Sequence, residues 1–225
     1  MLDFIQAGPD DAPPIAPTVV LCHGFGANMH DLAAIAGEAT APSYRWIFPQ
    51  APAEIPGYPA GRAWFPRTPG ELLQFASGAD FHDLAGMDPD GLRASGEELI
   101  DLLTSVGTDL SRTVIGGFSQ GAMVAIEAVL SAAGGELPAG LAVLSGSLIA
   151  ANRWAGMAPG IAKVPVFQSH GTVDPVLPFE QATRLREVLI GAGASVDFVE
   201  FAGGHGVPPE VVDRLGAFIA RVLPE

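Results

Sequence analysis

A single serine lies between an apolar, β-branched segment at 112–116 and an alanine-rich segment at 122–133, within the sequence Gly117-Phe118-Ser119-Gln120-Gly121. The first segment predicts a buried strand, and the second predicts a helix that Gly134-Gly135 would end. Strand, G-x-S-x-G turn and helix in this order form a nucleophile elbow, whose two glycines suit a turn too tight for side chains. We therefore predict that Ser119 is a nucleophile, although a chain with 28 glycines can contain this pentapeptide by chance.

A serine hydroxyl is a poor nucleophile at neutral pH and needs a general base. Two histidines follow Ser119 in the chain, His170 and His205. His205 lies in the glycine-rich run 202–206 after the last predicted strand, where a permissive backbone would let the imidazole reach over the sheet edge. His170 ends a predicted strand and is better placed to fix the adjacent loop through backbone hydrogen bonds. We therefore predict that His205 is the base.

The acid that orients the histidine is expected between the serine and the histidine in folds with such an elbow. Asp174 lies in the loop 170–175 after a predicted strand, at the strand end where catalytic groups collect in open α/β sheets. Asp197 lies inside a predicted strand, and Glu180 begins a predicted helix and is interpreted as a first-turn charge. Asp174 is the acid that we predict, with Asp197 as its rival.

A serine nucleophile that attacks a carbonyl also needs hydrogen-bond donors for the developing oxyanion. The backbone N–H of Gln120 directly follows the nucleophile, at the start of the predicted helix. The second donor is expected from the loop 23–28, whose glycines permit a strained backbone, and we predict the N–H of Phe25. The alternative is that this loop is an ordinary strand-to-helix turn with Asn28 as the helix N-cap.

Short apolar runs alternate with helical patterns along the chain. The predicted strands are 18–22, 44–48, 112–116, 141–144, 164–169 and 196–201, with a weaker one at 2–6. The predicted helices are 29–40, 90–106, 120–133, 178–191 and 209–222. Nearly continuous apolar strands that alternate with helices predict an α/β fold, with a mostly parallel central sheet and helices on both faces. At 225 residues the chain fits one domain, 1–225.

The segment 49–89 interrupts this alternation with many prolines and glycines and few periodic signals. It carries aromatic side chains, Trp64 and Phe65 among them, which argue against disorder. A connection this long in a compact domain is usually functional. We predict a small lid-like excursion that faces the substrate, with a short helix at 70–77. The alternative is a loop whose aromatic side chains only cover the core.

The formal net charge of −14 is spread along the chain and argues against nucleic acid or an anionic membrane as a partner. No apolar run approaches the roughly 20 residues of a membrane span. The first residues lack the basic flank and apolar core of a signal peptide. We therefore expect no stable membrane insertion, a cytoplasmic location and a small-molecule partner. A homodimer is compatible with the sequence.

Neither a metal nor a reactive thiol is indicated. Cys22, the one cysteine, lies in the apolar run 19–22 beside His23, and a buried strand cysteine is favoured over a Cys-His nucleophile. The pairs His30-Asp31 and His82-Asp83 lack a third donor at ligand spacing and are interpreted as surface or loop residues. We expect no metal and no cofactor.

Taken together, these motifs resemble those of the phospholipase/carboxylesterase family of α/β-hydrolases, which includes the acyl-protein thioesterases. The match runs from about Thr18 to the C-terminus. Its pieces are His-Gly-Phe-Gly at 23–26, Phe-Pro-Gln-Ala-Pro at 48–52, Trp-Phe at 64–65, and the segments 117–121, 170–178 and 204–208. The resemblance implies an α/β-hydrolase fold and a serine esterase without a cofactor. It also implies the triad Ser119, Asp174 and His205, with Phe25 and Gln120 at the oxyanion positions.

The chain departs from the family pattern at two places. The family often has an aspartate soon after the glycine at Gly26, where this chain has Ala27-Asn28. It often has an acidic residue after Trp-Phe, where this chain has Pro66. Neither departure touches the triad, and both fall in expected substrate loops, so they bear on specificity rather than on mechanism.

We expect hydrolysis of short- to medium-chain acyl esters, roughly two to eight carbons, because the chain has no second large apolar insertion that would lengthen a groove for a long acyl chain. The apolar side chains expected to contact substrate are Phe25, Trp64, Phe65, Leu148, Val176 and Phe179. The alternatives are a thioesterase or lysophospholipase for long acyl chains, an acyltransferase, and a non-catalytic binding module. The intact triad argues against the last.

Overall fold

A computed structural model describes residues 1–9, 16–39, 44–65 and 84–223. Nine strands lie in this part of the chain: β1 Phe4–Ala7, β2 Thr18–Cys22, β3 Arg45–Pro49, β4 Ala53–Ile55, β5 Tyr58–Ala63, β6 Thr113–Phe118, β7 Gly140–Leu144, β8 Val166–Gly171 and β9 Val196–Phe201. Seven of them form one sheet in the order β1-β3-β2-β6-β7-β8-β9. All neighbours pair in parallel except β1, which runs antiparallel to β3.

Helices cover both faces of this sheet. They are α1 Ile35–Glu38, α2 Leu92–Ser105, α3 Gln120–Ser131, α4 Ala151–Met157, α5 Phe179–Gly191 and α6 Pro209–Val222, with single 3₁₀ turns at Leu110–Arg112 and Ala158–Ile161. One apolar cluster contains buried side chains of α2, α3, α4 and α5, and a second contains those of α1 and α6. The predicted α/β-hydrolase fold, with a mostly parallel sheet between two layers of helices, is therefore confirmed.

The strands are apolar on both sides because both faces of the sheet are buried. In β2, Val20 and Cys22 belong to the cluster on one face, whereas Val19 and Leu21 belong to the cluster on the other. This is the two-residue alternation of side chains along a strand. No helix of the described ranges has the length and apolar character needed to cross a membrane.

The structure departs from the predicted elements mainly before residue 64 and after residue 150. The predicted helix 29–40 is wrong, because residues 29–34 form turns and only Ile35–Glu38 is helical. Hydrogen bonds from Ala33 N to His30 O and from Ile35 N to Leu32 O close four-residue turns in this stretch instead of the turns of an α-helix. The β4–β5 hairpin and α4 were not predicted. The predicted helix 70–77 lies outside the described residues.

Candidate active site

Ser119 occupies the sharp turn between β6 and α3, with φ 56° and ψ −118°. Positive φ is rare for a residue with a side chain and here directs the hydroxyl away from the strand. A Cβ atom at Gly117 would lie 2.5 Å from the backbone of Gly121, and one at Gly121 would lie 2.2 Å from the carbonyl oxygen of Cys22. Only glycine fits at either position, as the sequence predicts for an elbow.

The parallel strands bring the three predicted triad residues to one edge of the sheet. Asp174 lies in the loop after β8, and His205 lies in the loop after β9. His205 Nε2 is 2.8 Å from Ser119 Oγ, and His205 Nδ1 is 2.7 Å from Asp174 Oδ2. The ring of Phe118 packs against the imidazole, with 4.8 Å between ring centroids. A carboxylate, an imidazole and a serine hydroxyl thus form one continuous hydrogen-bonded row.

The carboxylate of Asp174 is held by its own loop. Its Oδ1 accepts hydrogen bonds from the backbone N–H groups of Val176 at 2.8 Å and Leu177 at 2.9 Å. Burial raises the pKa of this carboxyl, but the hydrogen bonds from His205, Leu177 and Val176 outweigh burial, and the pKa lies below its ordinary value of 3.8. Asp174 is therefore ionised at neutral pH, and Oδ2 can accept the Nδ1–H of His205.

His170, the next-to-last residue of β8, supports the loop that carries Asp174. It is completely buried, its Nε2 donates to the carbonyl of Leu177 at 2.8 Å, and Nε2 lies 3.3 Å from Asp174 Oδ2. Burial lowers the pKa of its imidazole, so the ring is neutral at neutral pH. This is the kind of backbone hydrogen bond that the sequence predicts for His170, and it is His205 that lies at hydrogen-bond distance from Ser119.

The other candidate residues from the sequence either lie outside this hydrogen-bonded row or are chemically unreactive. Asp197 pairs on β9 with Arg214 at 3.1 Å and Arg221 at 3.6 Å. Glu180 lies in the first turn of α5. Cys22 is fully buried, which raises the pKa of its thiol far above neutrality and leaves it unreactive. In the described part of the chain, no group of His, Cys, Asp and Glu side chains could hold a metal ion.

The loop after β2 passes directly beside the nucleophile. A Cβ atom at Gly24 would lie 3.4 Å from Ser119 Cβ, so the backbone that leads into Phe25 lies against the serine. The β4–β5 hairpin holds this loop: Gly26 N donates to Arg62 O and Arg62 N donates to Ala27 O, both at 2.9 Å. Asn28, predicted as a possible helix cap, accepts instead from the N–H of His30 in a local turn.

The side chain of Gln120 has a role that the sequence did not predict. It is buried, its Oε1 accepts from Trp64 N and its Nε2 donates to Phe65 O, both at 2.9 Å. Trp64 Nε1 in turn donates to the carbonyl of His23 at 2.8 Å. Trp64 thereby links the start of α3 to the loop that carries Phe25. Because Gln120 begins α3, its own N–H has no carbonyl partner within the helix, as a donor for an oxyanion requires.

The apolar side chains predicted to contact substrate lie in two environments. Trp64, Phe65 and Leu148 are 1%, 3% and 2% exposed and belong to the core cluster under α2 and α3. Val176 and Phe179 are half-buried beside the loop of Asp174. Substrate contact by these residues stays a prediction. The structure adds a packing role for the first three, and for Trp64 and Phe65 this is the alternative interpretation of the segment 49–89.

Trp64→Phe separates these two roles. The variant keeps a ring in the core but leaves the carbonyl of His23 without its donor, so we expect the free energy of unfolding to fall by about 1–3 kcal/mol. We expect the ratio of kcat/KM between short and medium esters to stay unchanged. Chemical denaturation and ester kinetics on the same preparation check both. A changed ratio with unchanged stability would instead place Trp64 against the acyl group.

The fold and the row Ser119–His205–Asp174 define a class, the α/β-hydrolases with a serine at the elbow. Comparison with known proteins specifies the family: the phospholipase/carboxylesterase family model matches residues 7–223. The chain therefore belongs to the phospholipase/carboxylesterase family, and it is a serine hydrolase. The resemblance noted in the sequence is confirmed.

Relatives and solved structures agree with this family. The chain is 30% identical to acyl-protein thioesterase 1 of Gibberella zeae over 219 residues, which cover 92% of this chain and 91% of the relative. It is 29% identical to acyl-protein thioesterase 1 of Neurospora crassa, over 92% of this chain and 87% of the relative. The structure of esterase PE8 superimposes with a TM-score of 0.79 at 26% identity and covers 99% of both chains. Acyl-protein thioesterase 2 of Zea mays, at 23% identity and a TM-score of 0.74, covers 98% of this chain and 99% of its own and shares the fold.

Proposed function

We propose that the protein is a serine carboxylesterase that hydrolyses acyl esters through Ser119, His205 and Asp174. The observation that carries this proposal is the row of two hydrogen bonds, 2.8 Å from Ser119 Oγ to His205 Nε2 and 2.7 Å from His205 Nδ1 to Asp174 Oδ2. With Nδ1–H donated to an ionised carboxylate, Nε2 carries the lone pair that accepts the serine proton. In this geometry the base lies at hydrogen-bond distance from the nucleophile and can accept its proton.

The reaction has two halves. Ser119 Oγ attacks the ester carbonyl carbon while His205 Nε2 takes its proton, and the carbonyl oxygen becomes an oxyanion held by the N–H groups of Phe25 and Gln120. The C–O bond of the ester breaks, and the alcohol leaves with the proton from His205. Water then loses a proton to His205, attacks the acyl-enzyme, and releases the carboxylic acid and free Ser119.

The acyl group is proposed to be short or medium in length. Among the described residues, three of the apolar side chains predicted to contact substrate, Trp64, Phe65 and Leu148, are closed into the core and offer little exposed apolar surface to a long acyl chain. A shallow surface depression of ≈ 480 Å³, lined by Phe25, Asn28 and Tyr58 among others, lies along the loop after β2 and is open to solvent. A small-molecule ester is accordingly the proposed partner. The cytoplasmic location and a homodimer stay predictions.

The dependence of kcat/KM on acyl length and on the leaving group distinguishes a carboxylesterase from an acyl-protein thioesterase. We expect kcat/KM to peak at roughly two to eight acyl carbons, because each further CH₂ gains about 0.8 kcal/mol only where it can be buried. The measurement uses p-nitrophenyl esters of graded acyl length, with Ser119→Ala as the background control. A steady rise through sixteen carbons would overturn the preference.

The second candidate is an acyl-protein thioesterase, because the relatives at 29% and 30% identity carry that name. The same Ser119 chemistry would cleave a thioester, with a thiol as the leaving group in place of an alcohol. Acyl thioesters matched in length to the oxyesters distinguish the two candidates. Product analysis with added alcohol, where a new ester would accumulate, tests the acyltransferase alternative.

A further inference from the structure

Two neighbouring strands of the sheet end in strained serines. Ser119, after β6, has φ 56°, and Ser145, after β7, has φ 46°. Positive φ at a residue with a side chain persists only where the surroundings enforce it, and it concentrates at functional sites. At Ser119 the positive φ is explained by the nucleophile elbow, because it directs the hydroxyl away from the strand. The strain at Ser145 is not explained by the nucleophile, the base, the acid or the oxyanion donors.

The hydroxyl of Ser145 is bonded to the loop of the base. Ser145 is completely buried, and its Oγ donates to the carbonyl of Gly206 at 2.9 Å. Gly206 directly follows His205 in the chain. The hydroxyl is buried and Gly206 is half-buried, so this hydrogen bond is partly shielded from water, and its loss would leave the buried hydroxyl position without its link to the loop of His205.

The contacts on the other side of His205 come from the loop of the acid. Val173 N donates to Gly203 O at 3.1 Å, and a Cβ atom at Gly171 would lie 2.2 Å from Gly204 O, so these two loops pack backbone against backbone. His205 therefore lies between two tethered segments. The acid loop holds the chain before it, and Ser145 holds the chain after it.

Ser145 is also fixed relative to the nucleophile. Ser119 N donates to the carbonyl of Leu144, and Ser145 N donates to the carbonyl of Ser169, both at 2.9 Å. A closed ring results: Ser119 backbone to Leu144, Ser145 hydroxyl to Gly206, and His205 imidazole back to the Ser119 hydroxyl. The reacting pair of atoms is one link of this ring, and the Ser145 hydroxyl is another.

We propose that Ser145 is a positioning residue for the base: its hydroxyl, through Gly206, holds His205 Nε2 at hydrogen-bond distance from Ser119 Oγ. The positive φ at Ser145 turns that hydroxyl from the sheet toward the loop of His205. The inference rests on the proposed function, because the distance it controls matters only if His205 takes the proton of Ser119. Misplacement of a reacting group by about 1 Å costs on the order of 10²-fold in rate.

The test compares four single substitutions. Ser145→Gly removes the hydroxyl and suits the positive φ, Ser145→Ala removes the hydroxyl alone, and Ser145→Cys keeps the shape with a weaker donor. Ser147→Ala is the matched control, because the Ser147 hydroxyl is equally buried, two residues away, and has no hydrogen-bond partner among the described residues. For each variant kcat and KM are measured well below its Tm, per Ser119 titrated with a fluorophosphonate.

We expect kcat to fall by roughly 10- to 100-fold in Ser145→Gly and Ser145→Ala and by less in Ser145→Cys, with KM nearly unchanged. The rate of fluorophosphonate labelling should fall in parallel, and Ser147→Ala should match the wild type. A purely structural role would lower Tm and leave kcat per titrated site intact, which overturns the inference. If Ser145→Gly and Ser145→Ala do not fold, wild-type kcat in Ser145→Cys overturns it.

The proposed function fails by a different result. Hydrolysis that survives Ser119→Ala contradicts the nucleophile itself, whatever the Ser145 variants do. If Ser119→Ala is inactive while every Ser145 variant turns over at the wild-type rate, the proposed function stands and only the positioning role of Ser145 falls.

Discussion

Ser119→Ala is expected to lower kcat for ester hydrolysis by about 10⁴- to 10⁶-fold. The substitution removes the hydroxyl that lies 2.8 Å from His205 Nε2 and that this nitrogen is placed to activate. The remaining rate comes from binding and from the oxyanion donors, which act without the nucleophile. Steady-state kinetics with a p-nitrophenyl ester measures the fall.

Covalent labelling provides the independent check on the same variant. A fluorophosphonate probe should label the wild type once, on Ser119, and should not label Ser119→Ala. Alanine at position 119 is smaller than serine and has to adopt the same positive φ as Ser119. We therefore expect the variant and the wild type to unfold at similar temperatures. Labelling or turnover that survives the substitution would show that another residue is the nucleophile.

The part of this site that sequence predicts best is local. The segment from Thr113 to Ser131 contains the strand, the tight turn and the helix in one continuous stretch, so its pattern is visible in the residues themselves. Asp174 was predicted by a global rule, that catalytic groups collect at the carboxyl ends of parallel strands, and His205 by its place after Ser119 in the chain and by the glycines around it. The structure brings both residues into the hydrogen-bonded row with Ser119, while their catalytic roles stay predictions.

The contacts that sequence did not predict join residues far apart in the chain. Gln120 binds the backbone of Trp64 and Phe65 across 56 and 55 positions, and Ser145 binds Gly206 across 61. Nothing in the sequence around a glutamine or a serine indicates which distant backbone group its side chain will bind. The β4–β5 hairpin was missed for a related reason: Tyr58–Ala63 is half exposed and contains proline and glycine, so it lacks the alternation of a strand.

Asp174→Asn is expected to lower kcat by on the order of 10⁴-fold while the fold stays intact. The backbone N–H groups of Val176 and Leu177 bind Oδ1, and the same bonds would hold the amide oxygen of asparagine there. The amide nitrogen would then occupy the place of Oδ2 and present a donor to His205 Nδ1. His205 must respond by carrying its proton on Nε2, where it faces the Ser119 hydroxyl and cannot accept a proton from it.

Asp197→Asn is the matched control, because it makes the same chemical change on the rival acid. Asp197 pairs with two surface arginines, Arg214 and Arg221, whose side chains are 57% and 60% exposed, and such pairs contribute little to stability. We expect wild-type kcat from Asp197→Asn. If both variants fold and Asp197→Asn loses more activity than Asp174→Asn, then Asp197 is the acid.

The pH dependence of stability gives a second test of Asp174. A carboxyl whose pKa is lowered by folding stabilises the native state above its unfolded pKa, and this contribution disappears as the pH falls through the folded value. The difference in free energy of unfolding between wild type and Asp174→Asn should therefore be largest near neutral pH. It should begin to shrink as the pH falls below about 4 and should be gone once the pH is below the folded pKa, where the wild-type carboxyl is uncharged, as asparagine is.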